Sequence, residues 1–143
     1  MPQMFWSNTY SVGHPELDEQ HRQLIETYNL IVDKVESYDD QSHDPSEIMS
    51  QLKRFSQMTE QHFYSEESIL AEVGYPALMA HQLLHLQHTD SLSSYNAAEM
   101  SRKEYRENLL EAIGNWFINH ILMEDMEYKY FMQQGDSSPD SSA

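Results

Sequence analysis

At 143 residues, 39% of them apolar, the chain is the size of one domain, long enough to bury one core and too short for two. A formal net charge of −16, from 24 acidic against 8 basic side chains, repels phosphate backbones and anionic lipid surfaces, so neither nucleic-acid nor membrane binding is expected. The lack of cysteine excludes disulfides, thiolate metal sites and a cysteine nucleophile, which leaves nitrogen and oxygen as the only donors for a metal.

The N-terminal stretch carries no basic region leading into an apolar run, and no apolar segment of membrane-spanning length follows, so a cytoplasmic protein is expected. After an N-terminal arm, Leu17, His21, Leu24, Tyr28, Ile31 and Val35 recur at threes and fours and predict a first helix from near Pro15 to Tyr38. Asp44-Pro45-Ser46-Glu47 reads as an N-cap followed by proline at the first helical position, opening a second helix through Leu52, Phe55, His62, Glu66 and Leu70. Gly74 suits a left-handed cap at its end.

Pro76 is expected to open a third helix, carrying His81, Leu84, His85 and Leu92 to about Ala98. Ser101-Arg102-Lys103-Glu104 reads as a capping box for a fourth, whose apolar face includes Leu109, Ile113, Trp116, Phe117, His120, Ile121 and Tyr128. The pattern predicts an all-α fold, an antiparallel up-and-down four-helix bundle over residues 1–132, with 133–143 a disordered polar tail.

Five of the eight histidines, His21, His62, His81, His85 and His120, fall on the apolar stripes, whereas His14, His43 and His88 read as surface or loop. His62 and Glu66 share a helical face at i, i+4, as do His81 and His85 in "HQLLH". Either pair alone is an ordinary surface pattern. Five imidazoles and accompanying carboxylates on one core are costly to desolvate unless a cation compensates. Mixed imidazole and carboxylate ligation suits iron, zinc, manganese or copper, and the donors are too many for one ion. On an ideal helix Glu124 shares the face of His120, whereas Asp125 lies about 140° away.

The segments "SVGHPELDEQHRQL", "HFYSEE", "GYPALMAHQLLH" and "WFINHILMEDMEY" together resemble the hemerythrin family, in particular its bacterial branch, over about residues 6–131. The resemblance implies a non-heme centre of two iron ions that binds molecular oxygen reversibly. It assigns His81, His85 and His120 to one iron, His21 and His62 to the other, and Glu66 and Asp125 as bridges beside an oxo or hydroxo group. Oxygen would bind at the two-histidine iron. Choosing Asp125 over Glu124 requires a local distortion of the helix, or side chains reaching the metals from different sides.

Leu24, Trp116 and Phe117 lie near His21 and His120 on the same faces and are candidates for an apolar oxygen-pocket wall, with Tyr128 a candidate partner for the ligands. Ligation rich in neutral imidazole favours carrying oxygen over activating it, and the Glu-x-x-His motifs of di-iron oxidases do not occur. The expected role is therefore oxygen storage, delivery or buffering rather than catalysis. A di-iron peroxidase, oxidase or nitric-oxide-handling enzyme is the alternative, as is a sensor working through a separate protein partner of unknown identity.

Overall fold

The structure, a computed structural model, describes residues 3–39 and 44–141, with side chains to residue 133; His43 lies outside the described residues. Five helices follow in order: α1 (Pro15–Glu36), α2 (Ser46–Glu72), α3 (Leu78–Ser93), α4 (Lys103–Phe117) and α5 (Asp125–Ser141). A π-helical segment, Ile118–Glu124, joins α4 to α5, so the two form one interrupted rod. No strand occurs among the described residues. α1 packs on α2 and α4, α2 on α3, and α3 on α4, which closes the up-and-down four-helix ring.

Several boundaries differ from expectation for local reasons. α2 begins at Ser46, so Pro45 stands at the N-cap position instead of the first helical one, and Asp44, one residue earlier, accepts from Ser46 N–H at 2.9 Å across it. Gly74, with φ +72°, ends that helix as expected. Its N–H donates to Ala71 O at 3.2 Å and the next N–H, of Tyr75, to Leu70 O at 2.9 Å, the paired bonds of a Schellman cap. α3 starts at Leu78, two residues after Pro76. It stops at Ser93 rather than Ala98, because Ser93 and Ser94 hydroxyls donate to the carbonyls of Asp90 and Ser91 and a separate 3-10 turn, Ala97–Glu99, follows.

The capping box does not form: α4 begins at Lys103 without a side-chain cap, and Arg102 instead donates to Glu99 at 2.6 Å. α5 carries helical backbone to Ser141, into the stretch expected to be a disordered tail; the i→i−4 bonds that continue it need no apolar face.

The N-terminal arm lies along α1. Asn29 fixes its start by accepting from Met4 N–H at 2.9 Å and donating to Met4 O at 2.7 Å, while Arg22 covers the Trp6 ring at 4.7 Å. Asp18 holds its end, accepting from Val12 N–H and the Ser11 hydroxyl.

The core divides in two along the bundle. The larger part runs from Leu24, Tyr28 and Phe55 to Ile113, Phe117 and Ile121, and the smaller gathers Val12, Leu17, Leu70 and Tyr128. Each site-bearing helix crosses the gap between them at a polar position. His21 stands between Leu17 and Leu24, Glu66 between Phe63 and Leu70, and His120 and Asp125 between Phe117 and Tyr128. A polar layer between two apolar plugs is shielded from water at both ends.

Candidate metal centre

All seven residues singled out in the sequence meet in this layer. His21, His62, Glu66, His120 and Asp125 are fully buried, and His81 and His85 are at most 4% exposed. Glu66 divides its oxygens. Oε1 lies 2.5 Å from His81 Nε2 and 2.9 Å from His85 Nε2, while Oε2 lies 3.1 Å from His62 Nε2 and accepts from the Tyr128 hydroxyl at 2.8 Å. Asp125 does the same, with Oδ2 at 2.8 Å from His21 Nε2 and Oδ1 at 3.4 Å from His81 Nε2. The inward atoms form two overlapping groups, His81, His85 and His120 with Glu66, and His21, His62 and His120 with both carboxylates. Within each group they lie within 4.8 Å of one another.

Asp125 reaches this layer because the helix is not ideal. Through Ile118–Glu124 the backbone bonds close over five residues instead of four, which returns the fifth residue after His120 to its face. His120 Nε2 lies 3.2 Å from Asp125 Oδ2. Glu124, the choice of ideal geometry, turns outward and meets the other ring nitrogen, accepting from His120 Nδ1–H at 3.2 Å.

Sequence reasoning missed the outer hydrogen bonds. His85 Nδ1–H donates to Glu67 Oε2 at 2.6 Å, and His62 Nδ1–H to Gln20 Oε1 at 2.8 Å. Phe63 stacks on His85 with centroids 3.7 Å apart, and Trp116 lies nearly parallel to His120 at 5.1 Å. A signal was present: Glu67 and Glu124 are the chain neighbours of Glu66 and Asp125, and an acid beside a buried acid must face elsewhere. His88, expected at the surface, is half-buried, 3.4 Å from Glu124 and edge-on to Trp116. His14 caps α1, accepting from Leu17 N–H at 3.4 Å. Leu24 and Phe117 lie in the larger core, fully buried, with Trp116 at its edge toward His88.

The electrostatics are those of a site built for positive charge. Burial opposes protonation of His62 and His81, yet the adjacent Glu66 and Asp125 push their pKa values up to about 9 and about 10. Burial also works against ionised Glu66, and the surrounding imidazoles hold its carboxyl well below the usual range. Asp125 is lowered too, against burial and against Glu66. His120 is lowered, chiefly by burial, and Glu124 falls to about 2, as its bonds to His120 and His88 outweigh desolvation.

Protons alone do not satisfy the layer, because Asp125 Oδ1 and His21 Nδ1 remain buried without a hydrogen-bond partner. Five convergent imidazoles, two two-faced carboxylates and an orphaned carboxylate oxygen fit a pair of imidazole-preferring cations.

Comparison with known proteins gives one consistent answer. The model of the hemerythrin HHE cation binding domain matches residues 12–131. A bacteriohemerythrin of Clostridium acetobutylicum is 31% identical over 129 residues, covering 86% of this chain and 96% of that protein. A hemerythrin-like protein of Naegleria gruberi is 28% identical, covering 87% and 89%. A crystal structure of a hemerythrin point mutant superposes with a TM-score of 0.72 at 22% identity, covering 90% of this chain and 96% of that one, and supports the fold.

Proposed function

The chain belongs to the hemerythrin family, and from that premise we propose that it binds molecular oxygen reversibly at a non-heme di-iron centre, as a store, carrier or buffer. The observation that carries this reading is the donor set, five buried imidazoles and two buried carboxylates that each aim one oxygen at either group. We assign His81, His85 and His120 to one iron, His21 and His62 to the other, and Glu66 and Asp125 as bridges, with an oxo or hydroxo group between the irons and no heme. Once bound, the iron pair supplies reversible two-electron chemistry toward dioxygen, tempered by imidazole-rich ligation.

The chain's own residues set the conditions. Tyr128 donates its hydroxyl hydrogen to Glu66 Oε2, so one bridge is held in a single pose. Gln20 and Glu67 hold His62 and His85 by their outer nitrogens, which aims both Nε2 atoms inward. To Leu24, Trp116 and Phe117 we assign an apolar wall that would keep water from the oxygen pocket, with Trp116 on the side of His120 and His88. The reading places the protein in the cytoplasm; no helix among the described residues is long and apolar enough to cross a membrane, and a net charge of −16 disfavours anionic lipid surfaces.

Anaerobic reconstitution with ferrous iron, exposure to oxygen and evacuation, followed by visible absorption, tests this directly. The expected result is two irons per chain and a charge-transfer band that appears with oxygen, vanishes under vacuum and returns on the next cycle. Steady oxygen consumption with added reductant and no recoverable band would overturn it in favour of an oxidase.

A further inference from the structure

The two halves of the centre are supported differently from outside. On the three-histidine half, His85 gives its Nδ1 proton to the carboxylate of Glu67 and His120 gives its own to the carboxylate of Glu124. Each of these two rings is also held flat against an aromatic face, His85 by Phe63 and His120 by Trp116. On the two-histidine half, the outer nitrogen of His62, Nδ1, meets the neutral amide oxygen of Gln20, and His21 Nδ1 is buried without a hydrogen-bond partner. A carboxylate on the outer nitrogen fixes the tautomer, locks the ring and makes the inner nitrogen a stronger donor; an amide fixes orientation but adds little donor strength.

We propose that Glu67 and Glu124 are positioning residues that make the two metal positions unequal, so that the three-histidine half binds its ion more tightly and fills first, while the Gln20-supported half is the weaker and later one. This rests on the di-iron reading above and adds an order to it. The asymmetry serves oxygen binding, because the half that must change its coordination is the one whose imidazoles are less firmly held. Glu67 also accepts from the Gln82 amide at 3.1 Å and Glu124 lies 3.4 Å from His88 Nε2, so each carboxylate is itself held by α3. Neither reaches the inner groups through its own oxygens, which separates their role from that of Glu66 and Asp125.

The test titrates the full-length chain, stripped of metal, with Co2+ by calorimetry, and locates the first ion by anomalous scattering from crystals given one equivalent. Two resolved steps are expected, with the first ion among His81, His85 and His120. Glu67→Gln and Glu124→Gln should each weaken the tighter step about 10- to 100-fold and leave the weaker one unchanged. Gln20→Glu, which gives His62 a carboxylate, should tighten the weaker step and narrow the gap, and it decides the matter should either glutamine variant fail to fold. Equal steps in the unaltered chain, equal losses at both steps, a first ion beside His21 and His62, or no response to Gln20→Glu would each overturn the inference. Uptake of fewer than two ions by the unaltered chain would overturn the di-iron reading beneath it, whereas two ions with unaffected steps overturn the inference alone.

Discussion

Glu124 and Asp125 are adjacent acids with opposite assignments, and one substitution at each separates them. Asp125 is fully buried, with one oxygen toward His21 and the other toward His81. Under the proposed assignment Asp125→Asn removes the charge of a bridge while leaving the shape, so it should lose at least one iron per chain even at saturating metal. Glu124→Gln should still hold two irons at saturation, because its carboxylate meets only the outer nitrogen of His120 and His88. Iron analysis after gel filtration reads both. Retention of both irons by Asp125→Asn, with loss in Glu124→Gln, would reverse the assignment.

At the scale of the element, the π-helical turn decides which acid faces inward. It adds one residue to an otherwise α-helical rod, and its outer side carries the exposed Ile118, Leu122 and Met123. Deleting Met123 should convert the turn to regular α-helix and place Asp125 four positions after His120 instead of five, keeping it on the site face and the downstream register intact. The deletion variant should bind two metal ions, and its metal-free form should melt at a higher temperature than the parent. Loss of both ions would mean that the turn does more than restore register. An alanine inserted after Met123 should displace Asp125 and Tyr128 together and abolish binding.

For the whole molecule, the polar layer between two apolar plugs couples folding to metal and to pH. An ion bound only by the native state stabilises it by about 2.7 kcal/mol at a hundredfold excess over its Kd, so chelation should lower Tm by many degrees. The metal-free protein should also respond to pH in a defined way. His62 and His81 have folded pKa values raised from 6.5 to about 9 and about 10, so their contribution is fully present below pH 6.5 and is lost as pH rises through those values. His120 is lowered and is neutral throughout that range. Glu66 and Asp125 are depressed, and their contribution, present above the ordinary carboxylate range, is lost in strong acid. Metal-free Tm should therefore fall between pH 7 and pH 10, while the iron-loaded protein, whose ligands need no protons, should change much less. Parallel melting curves for the two forms across that range would contradict the account.

Much of this was legible in the chain before any tertiary structure. Apolar recurrence at threes and fours, Asp44 before Pro45 and Gly74 at a left-handed cap are local, because helix pitch and backbone sterics act over a few residues. The same periodicity put five histidines and Glu66 on inward stripes, since a residue's face follows from its spacing to apolar neighbours. Asp125 was legible only through resemblance, because periodicity favours Glu124 and the π turn that overrides it depends on surroundings that α4 alone does not contain. The failed cap at Ser101 has the same cause, as Arg102 takes its direction from Glu99 in the preceding turn. For the outer anchors the sequence showed at most that Glu67 and Glu124 face away from the acids beside them, and not which side chains they meet. Gln20 meets His62 across α1 and α2, Glu67 meets His85 across α2 and α3, and His88 meets Glu124 across α3 and the π segment. Helix spacing decides which way a side chain points, but what it touches is decided by the neighbouring helix, whose rotation and axial position are set only when the bundle packs.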